Sequence, residues 1–107
     1  MESTELKLTN DGEYLLCVLY HAYQTRRKNG EPSFDAKLFF SSAEIQSKYI
    51  PEWPTGDIDE AARELARKNM LKALWANNTL NFCCLSDDGI IYMETRFSRK
   101  RDEIAKH

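Results

Sequence analysis

The stretch Ser41–Ile50, SSAEIQSKYI, and the later stretch Asp57–Leu74, DIDEAARELARKNMLKAL, set the architecture. Ser41 and Glu44 stand at the spacing of a capping box, in which each residue's side chain takes the other's backbone N–H. A short helix through Ile45 and Tyr49 then stops before Pro51, which biases Ile50 out of the helical region. The connector PEWPTG is a turn with Trp53 as its apolar anchor. Asp57 and Glu60 read as a second capping box, and Ile58, Ala61, Ala62 and Leu65 share one helical face. Asn69 closes this helix because asparagine tolerates the left-handed conformation. MLKALWA, Asn77-Asn78 and TLNFCCL follow as two strands around a two-residue hairpin turn.

Toward both ends the chain repeats a phrase: LTNDGEYLL at Leu8–Leu16 and LSDDGIIYM at Leu85–Met93. The hydroxyls of Thr9 and Ser86 suit helix N-caps, and the acids after them favour the positive end of the helix dipole. An internal duplication is the alternative, but five residues of helix-start chemistry are too few to carry it. From Gly12 to Lys28 the residues Leu15, Val18, Leu19 and Ala22 form one helical face, broadened by Tyr14, Leu16, Tyr20 and Tyr23. Asn29-Gly30 and Pro32 end that helix, and AKLFF, Ala36–Phe40, reads as a short strand. Ile90, Met93, Phe97 and Ile104 give a final amphipathic helix. The expected order is helix, strand, helix, helix, strand, strand, helix.

These residues carry a family resemblance. SSAEIQSKYI and DIDEAARELARKNMLKAL resemble the winged helix-turn-helix phrase of a capped short helix, a turn, a second helix and a hairpin. LSDDGIIYM resembles the start of the closing helix in many bacterial members. From about Thr9 to Phe97 the chain is similar to small uncharacterised winged-helix proteins of Gram-positive bacteria. The resemblance implies an α+β fold with a small antiparallel sheet, the first strand pairing with the hairpin and the hairpin tip forming the wing. Such domains serve DNA binding, RNA binding and protein contact alike. The connector PEWPTG is longer than the turn of simple helix-turn-helix proteins.

A length of 107 residues fits one domain, with the ends 1–8 and 98–107 expected to be loose. The 42% hydrophobic and 11% aromatic content argues against disorder. The net charge of −2 supplies no general attraction to nucleic acid or anionic membrane, so any such binding needs a local patch. No stretch is apolar enough to span a bilayer, and MESTELKLTND lacks the features of a signal peptide, which leaves the cytoplasm as the expected location. Cys17, Cys83 and Cys84 are expected as reduced thiols. Strand alternation sends Cys83 and Cys84 to opposite faces, one toward the core.

Little suits catalysis. Glycines are few and unclustered, no nucleophile motif occurs, and Asp87-Asp88 reads as helix-start chemistry, so no enzyme activity and no cofactor are expected. Cys17 and His21 stand four apart, a spacing open to a metal, but adjacent Cys83-Cys84 is poor zinc spacing, and no metal is expected.

For binding, the helix after Asp57 occupies the recognition position, with Asp59, Glu60, Arg63, Glu64 and Arg67 expected outward. Its acids argue for a solvated face laced by Asp59–Arg63 and Glu64–Lys68 pairs. The wing from Ala73 through Ser86 holds no Lys or Arg, although Asn77 and Asn78 suit either the turn or a phosphate contact. Positive charge gathers at Arg26, Arg27 and Lys28, and at Arg96, Arg99, Lys100 and Arg101, where it complements helix ends or meets phosphates. The expectation is a small regulator binding double-stranded DNA through Arg63, Arg67 and Lys68, with Arg26, Arg27, Lys28, Arg99, Lys100 and Arg101 on the backbone. Tyr20, Tyr23, Tyr92 and Phe97 on the first and last helices are the expected homodimer contact. The competing expectation is a protein-interaction or oligomerisation module, favoured by the acidic balance, the uncharged wing and the broad aromatic face.

Overall fold

The repeated phrase has a repeated purpose. The structure, a computed structural model, describes the backbone of residues 8–105 and the side chains of residues 8–96. Helix α1 spans Asn10–Lys28 and helix α5 spans Asp87–Ala105. At the start of α1, Gly12 N–H donates to Thr9 Oγ1 at 3.1 Å, and Thr9 Oγ1 donates onward to the carboxylate of Glu64. At the start of α5, Gly89 N–H donates to Ser86 Oγ at 3.0 Å, and Ser86 Oγ donates onward to the carbonyl of Asn69 at 2.7 Å. Each cap therefore closes its own helix and ties it to the same neighbourhood of the chain. The glycines follow from close approach: a Cβ at Gly12 would overlap the Glu64 carboxylate, and one at Gly89 would overlap the Met70 carbonyl.

Between these two helices lie α2 (Ser33–Ala36), β1 (Leu38–Phe39), α3 (Ser42–Tyr49), α4 (Thr55–Arg67), β2 (Leu71–Ala76) and β3 (Thr79–Leu85). Among the described residues the fold is α+β, with five helices and a three-stranded antiparallel sheet in the order β1-β3-β2. The first strand pairs with the hairpin as expected, Leu38 opposite Cys84 and Phe39 opposite Cys83. The strand expected over Ala36–Phe40 is shorter, because Pro32 opens a single helical turn whose Ala36 N–H donates to the Pro32 carbonyl. Ala36 is buried at the end of that turn, and Phe40 lies past the strand and is exposed.

Two helices end in the same way. After α1 the Glu31 N–H reaches Arg26 O and the Gly30 N–H reaches Arg27 O, with Gly30 at φ 94°. After α4 the Met70 N–H reaches Leu65 O and the Asn69 N–H reaches Ala66 O, with Asn69 at φ 63°. Both are Schellman closures built on a left-handed residue. The hairpin turn places Asn77 and Asn78 at φ 52° and 62°, the two positive values a tight primed turn needs.

The capping expectations divide. Ser41 Oγ accepts from Glu44 N–H at 3.2 Å, while the Glu44 carboxylate pairs with Lys48 instead of returning to Ser41. Asp57 is no cap: α4 starts earlier, with Pro54 at the cap position and no side-chain cap bond, because proline's fixed φ suits a helix entrance.

The core gathers Leu15, Leu16 and Leu19 of α1, Phe39, Ile45, Ile50, Ile58 and Leu65, and Leu71, Leu80, Cys83 and Leu85 of the hairpin. Leu8, expected in a loose end, belongs to it. Each large apolar side chain so buried contributes about 1.5–3 kcal/mol over exposure, against about 0–1 kcal/mol for a surface ion pair, so this set carries the stability. The rest of the expected loose end, residues 1–7, lies outside the described residues. The backbone of α5 continues to Ala105. The side chains of Phe97, Arg99, Lys100 and Arg101 lie outside the described ones.

Candidate nucleic-acid interface

The acids of α4 do not point where sequence periodicity placed them. Asp59 and Glu64 are each 8% exposed. Asp59 Oδ1 accepts the Leu80 N–H at 3.0 Å, fixing the start of β3 against the helix. Glu64 Oε2 accepts the Thr9 N–H at 2.7 Å, and its other oxygen takes the Thr9 hydroxyl. The expected Asp59–Arg63 and Glu64–Lys68 lacing gives way to these longer-range bonds because each carboxylate satisfies a backbone donor that burial would otherwise leave unpaired. Arg63 turns to Glu60 at 3.3 Å.

What remains outward on α4 is Asp57 and Glu60 against Arg63 and Arg67. Arg63 Nη2 donates to the Asn78 carbonyl at 2.6 Å, and its guanidinium lies 4.8 Å from the Trp75 ring centroid. One side chain thus brackets the helix to the hairpin tip through a hydrogen bond and a cation–π contact. Arg63, Ala66, Arg67, Trp75 and Asn78 line a cleft of about 440 Å³.

Trp75 reaches this cleft by plain strand alternation, on the same face of β2 as Leu71 and Ala73, and a bulge lies opposite it. Leu74 pairs with Phe82 and Trp75 with Leu80, so Asn81 has no residue opposite. The extra residue switches the alternation of β3, so that Leu80 lies with Trp75 on the α4 side while Leu74 and Phe82 face away. The sequence reading did not name Trp75 as a site residue, although alternation from Leu71 through Ala73 puts it on the helix side. The signal available was its place just ahead of the Asn77-Asn78 turn, opposite the helix that carries Arg63.

The other expected cations scatter. Arg26 is not a surface contact: Nη1 donates to Ala36 O at 3.2 Å and Leu38 O at 2.6 Å, Nη2 donates to Tyr49 Oη at 2.9 Å, and the group sits 4.4 Å from the Phe39 ring centroid. It holds α2, β1 and α3 to α1, so its donors are committed internally. Arg27 is exposed and donates to Glu31 O at 2.9 Å, closing the helix end. Arg27 and Lys28 line a separate depression with Tyr20, Tyr23 and Glu94. Lys68 is half-buried. Arg96 pairs with Glu13 at 2.6 Å.

Of the expected dimer contacts, Tyr20 is 4% exposed and packs inside its own chain, with Gln24 Nε2 donating to its hydroxyl at 3.3 Å. Tyr23 and Tyr92 are half-buried against the core.

Cys17 and His21 line a groove of about 510 Å³ between α1 and α3, with Val18, Ala22, Lys48 and Tyr49 among its walls. Among the described residues no group of three or more His, Cys, Asp or Glu side chains is placed to hold a metal ion. Cys83 is fully buried, and burial pushes its thiol up to about 12. Cys84 faces the other way and is half-exposed; burial raises its thiol, and the positive charges of Lys37 and Lys72 act against that rise. Among the described residues no helix is long and apolar enough to cross a membrane.

The fold and this cleft define an α+β domain in which an exposed helix and a two-stranded hairpin meet across an arginine and a tryptophan. No protein-family model, curated protein or solved structure matches the chain.

Proposed function

We propose that the chain is a small winged-helix protein that binds double-stranded DNA as a regulator, with α4 as its recognition helix and the β2–β3 hairpin as its wing. The observation that carries this reading is the convergence of Arg63, Arg67 and Asn78 on one exposed cleft, with Asp59 and Glu64 turned away into the interior. The acids that argued against a groove-facing helix are thereby reduced to Asp57 and Glu60. In this reading Arg67 takes a phosphate or base edge, and Arg63 holds the wing at a fixed angle to the helix. The uncapped start of α4 leaves backbone N–H groups for phosphate oxygens.

Two outward arginines make this a modest electrostatic interface. The fluorescence anisotropy of a labelled mixed-sequence duplex, titrated at low and moderate salt, tests it. With one phosphate neutralised by Arg67, log K falls against log salt with a slope of about −0.9. Arg67→Glu abolishes binding while leaving the fold intact. Absence of binding at low salt overturns the reading.

A protein-interaction module is the second reading, and one observation favours it: the sheet face turned away from α4 exposes Phe40 and Leu74 at 51% and 63%.

A further inference from the structure

Cys17, Val18, His21, Ala22 and Thr25 follow the spacing of a helix and so make one strip along α1. The last turn of α3 faces that strip with Lys48 and Tyr49, and the space between them is the groove of about 510 Å³. Its volume lies in the range of small-molecule sites, which are concave, mostly apolar and carry a few convergent polar groups. Val18, Ala22 and the Tyr49 ring supply apolar walls, and Cys17 adds a half-buried thiol. His21 and Thr25 are exposed, and neither side chain has a partner among the described residues.

The charge at this groove does not cancel. Arg26 lines it half-buried, and the acceptors of its guanidinium are all neutral: two backbone carbonyls and the Tyr49 hydroxyl. Glu31 and Asp35, the acids on the segment that Arg26 ties down, form no ion pair with it. Lys48 on the facing helix is already paired with Glu44 at 2.9 Å. That hydrogen-bonded carboxylate holds the Lys48 ammonium above its ordinary value, and the positive charge of Arg26 acts against the rise. Taking the Lys48–Glu44 pair as neutral leaves the Arg26 charge in surplus, and no carboxylate lines the groove to meet it. A half-buried charge is screened less than a surface one, so the surplus is felt across the cavity.

We infer that this groove binds a small organic anion, an aromatic carboxylate, with its charge beside Arg26 and its ring against Tyr49, Val18 and Ala22. The Thr25 hydroxyl and the His21 ring supply hydrogen bonds to the head group. Tyr49 is held in place by its hydroxyl bond to Arg26 at 2.9 Å and by an edge-to-face contact with Phe39, 6.0 Å between ring centroids. Charge and apolar wall are therefore fixed to each other before a ligand arrives, which lowers the ordering cost of binding. The groove shares no residue with the Arg63–Arg67 cleft, and the site stands independently of the DNA-binding reading.

The test is a titration of the full, isotope-labelled chain with naphthoate, followed by heteronuclear NMR, with naphthamide as the neutral control. Saturable shifts centred on Val18, Ala22 and Tyr49 are expected, with a Kd below about 1 mM and binding of the amide weaker by about tenfold or more. His21→Glu sets a carboxylate in the groove, and Thr25→Trp fills it. Both positions are exposed, so the fold is retained, and each variant weakens naphthoate binding by about tenfold or more. Absence of saturable binding at millimolar naphthoate overturns the assignment, as does equal affinity for acid and amide. So do shifts centred instead on the apolar patch of Phe40, Leu74 and Phe82 on the open face of the sheet, or either variant binding like wild type.

Discussion

The Glu64 carboxylate and the Thr9 backbone and hydroxyl form a closed hydrogen-bonded unit across 55 positions of sequence. It joins the start of the first helix to the last turns of α4, where the candidate interface lies. Charge-assisted bonds of this type contribute about 1.5–3 kcal/mol. Glu64→Ala lowers stability by about that amount and Glu64→Gln by less, since the amide still accepts one of the two donors. Urea unfolding followed by far-UV circular dichroism measures both. Equal losses for the two variants would show that the bonds to Thr9 contribute nothing beyond side-chain volume.

Glycine positions divide by what surrounds them. Gly89 lies against the Met70 carbonyl, which is backbone and cannot rotate aside, whereas Gly56 has open space around it. Gly89→Ala therefore costs about 1–3 kcal/mol through overpacking. Gly56→Ala gains up to about 1 kcal/mol by removing backbone entropy from the unfolded chain. Thermal unfolding midpoints that move in opposite directions are the expected result.

Arg26 tests the division of the cations into internal and surface groups. Arg26→Met removes donors from two backbone carbonyls and one phenol, costing about 1–3 kcal/mol for the acceptors left without partners. Arg26→Lys recovers little, because a single ammonium cannot reproduce the planar fork. DNA affinity of the folded variant stays unchanged in the anisotropy titration. A large loss of affinity with unaltered stability would return Arg26 to the interface.

The difference between Arg26 and Arg67 shows where sequence reading works. Helix starts at Thr9, Ser41 and Ser86, the left-handed ends at Gly30 and Asn69 and the Asn77-Asn78 turn were legible because their chemistry closes within a few residues. So was the pairing of the first strand with the hairpin, expected from the order of the elements. Asp59 and Glu64 were misplaced because their partners, Leu80 and Thr9, lie 21 and 55 positions away. Helical periodicity sorts residues by hydrophobicity and so assigns every acid outward; it carries no information about a distant backbone donor. Arg26 was misread for the same reason, since nothing local marks the carbonyls of Ala36 and Leu38 as its acceptors. The apolar patch was invisible because Phe40, Leu74 and Phe82 come together through strand register.

Cys83 gives a pH dependence with a definite sign. Its thiol titrates at about 12 in the folded chain against an ordinary value of 9.0, because its anion would be buried. Below pH 9 both states hold the proton and the group leaves stability unchanged with pH. Above it the unfolded chain releases a proton that the folded chain keeps, so stability falls by about 1.4 kcal/mol per pH unit until the folded thiol also ionises. Lysines and tyrosines titrate in the same window, so the comparison is with Cys83→Ala. That variant is less stable at neutral pH, through lost packing, and declines less steeply as pH rises. Urea midpoints measured from pH 8 to pH 10.5 isolate the difference in slope. Parallel curves for wild type and Cys83→Ala would show that the anion finds a solvated position and that strand β3 opens around it.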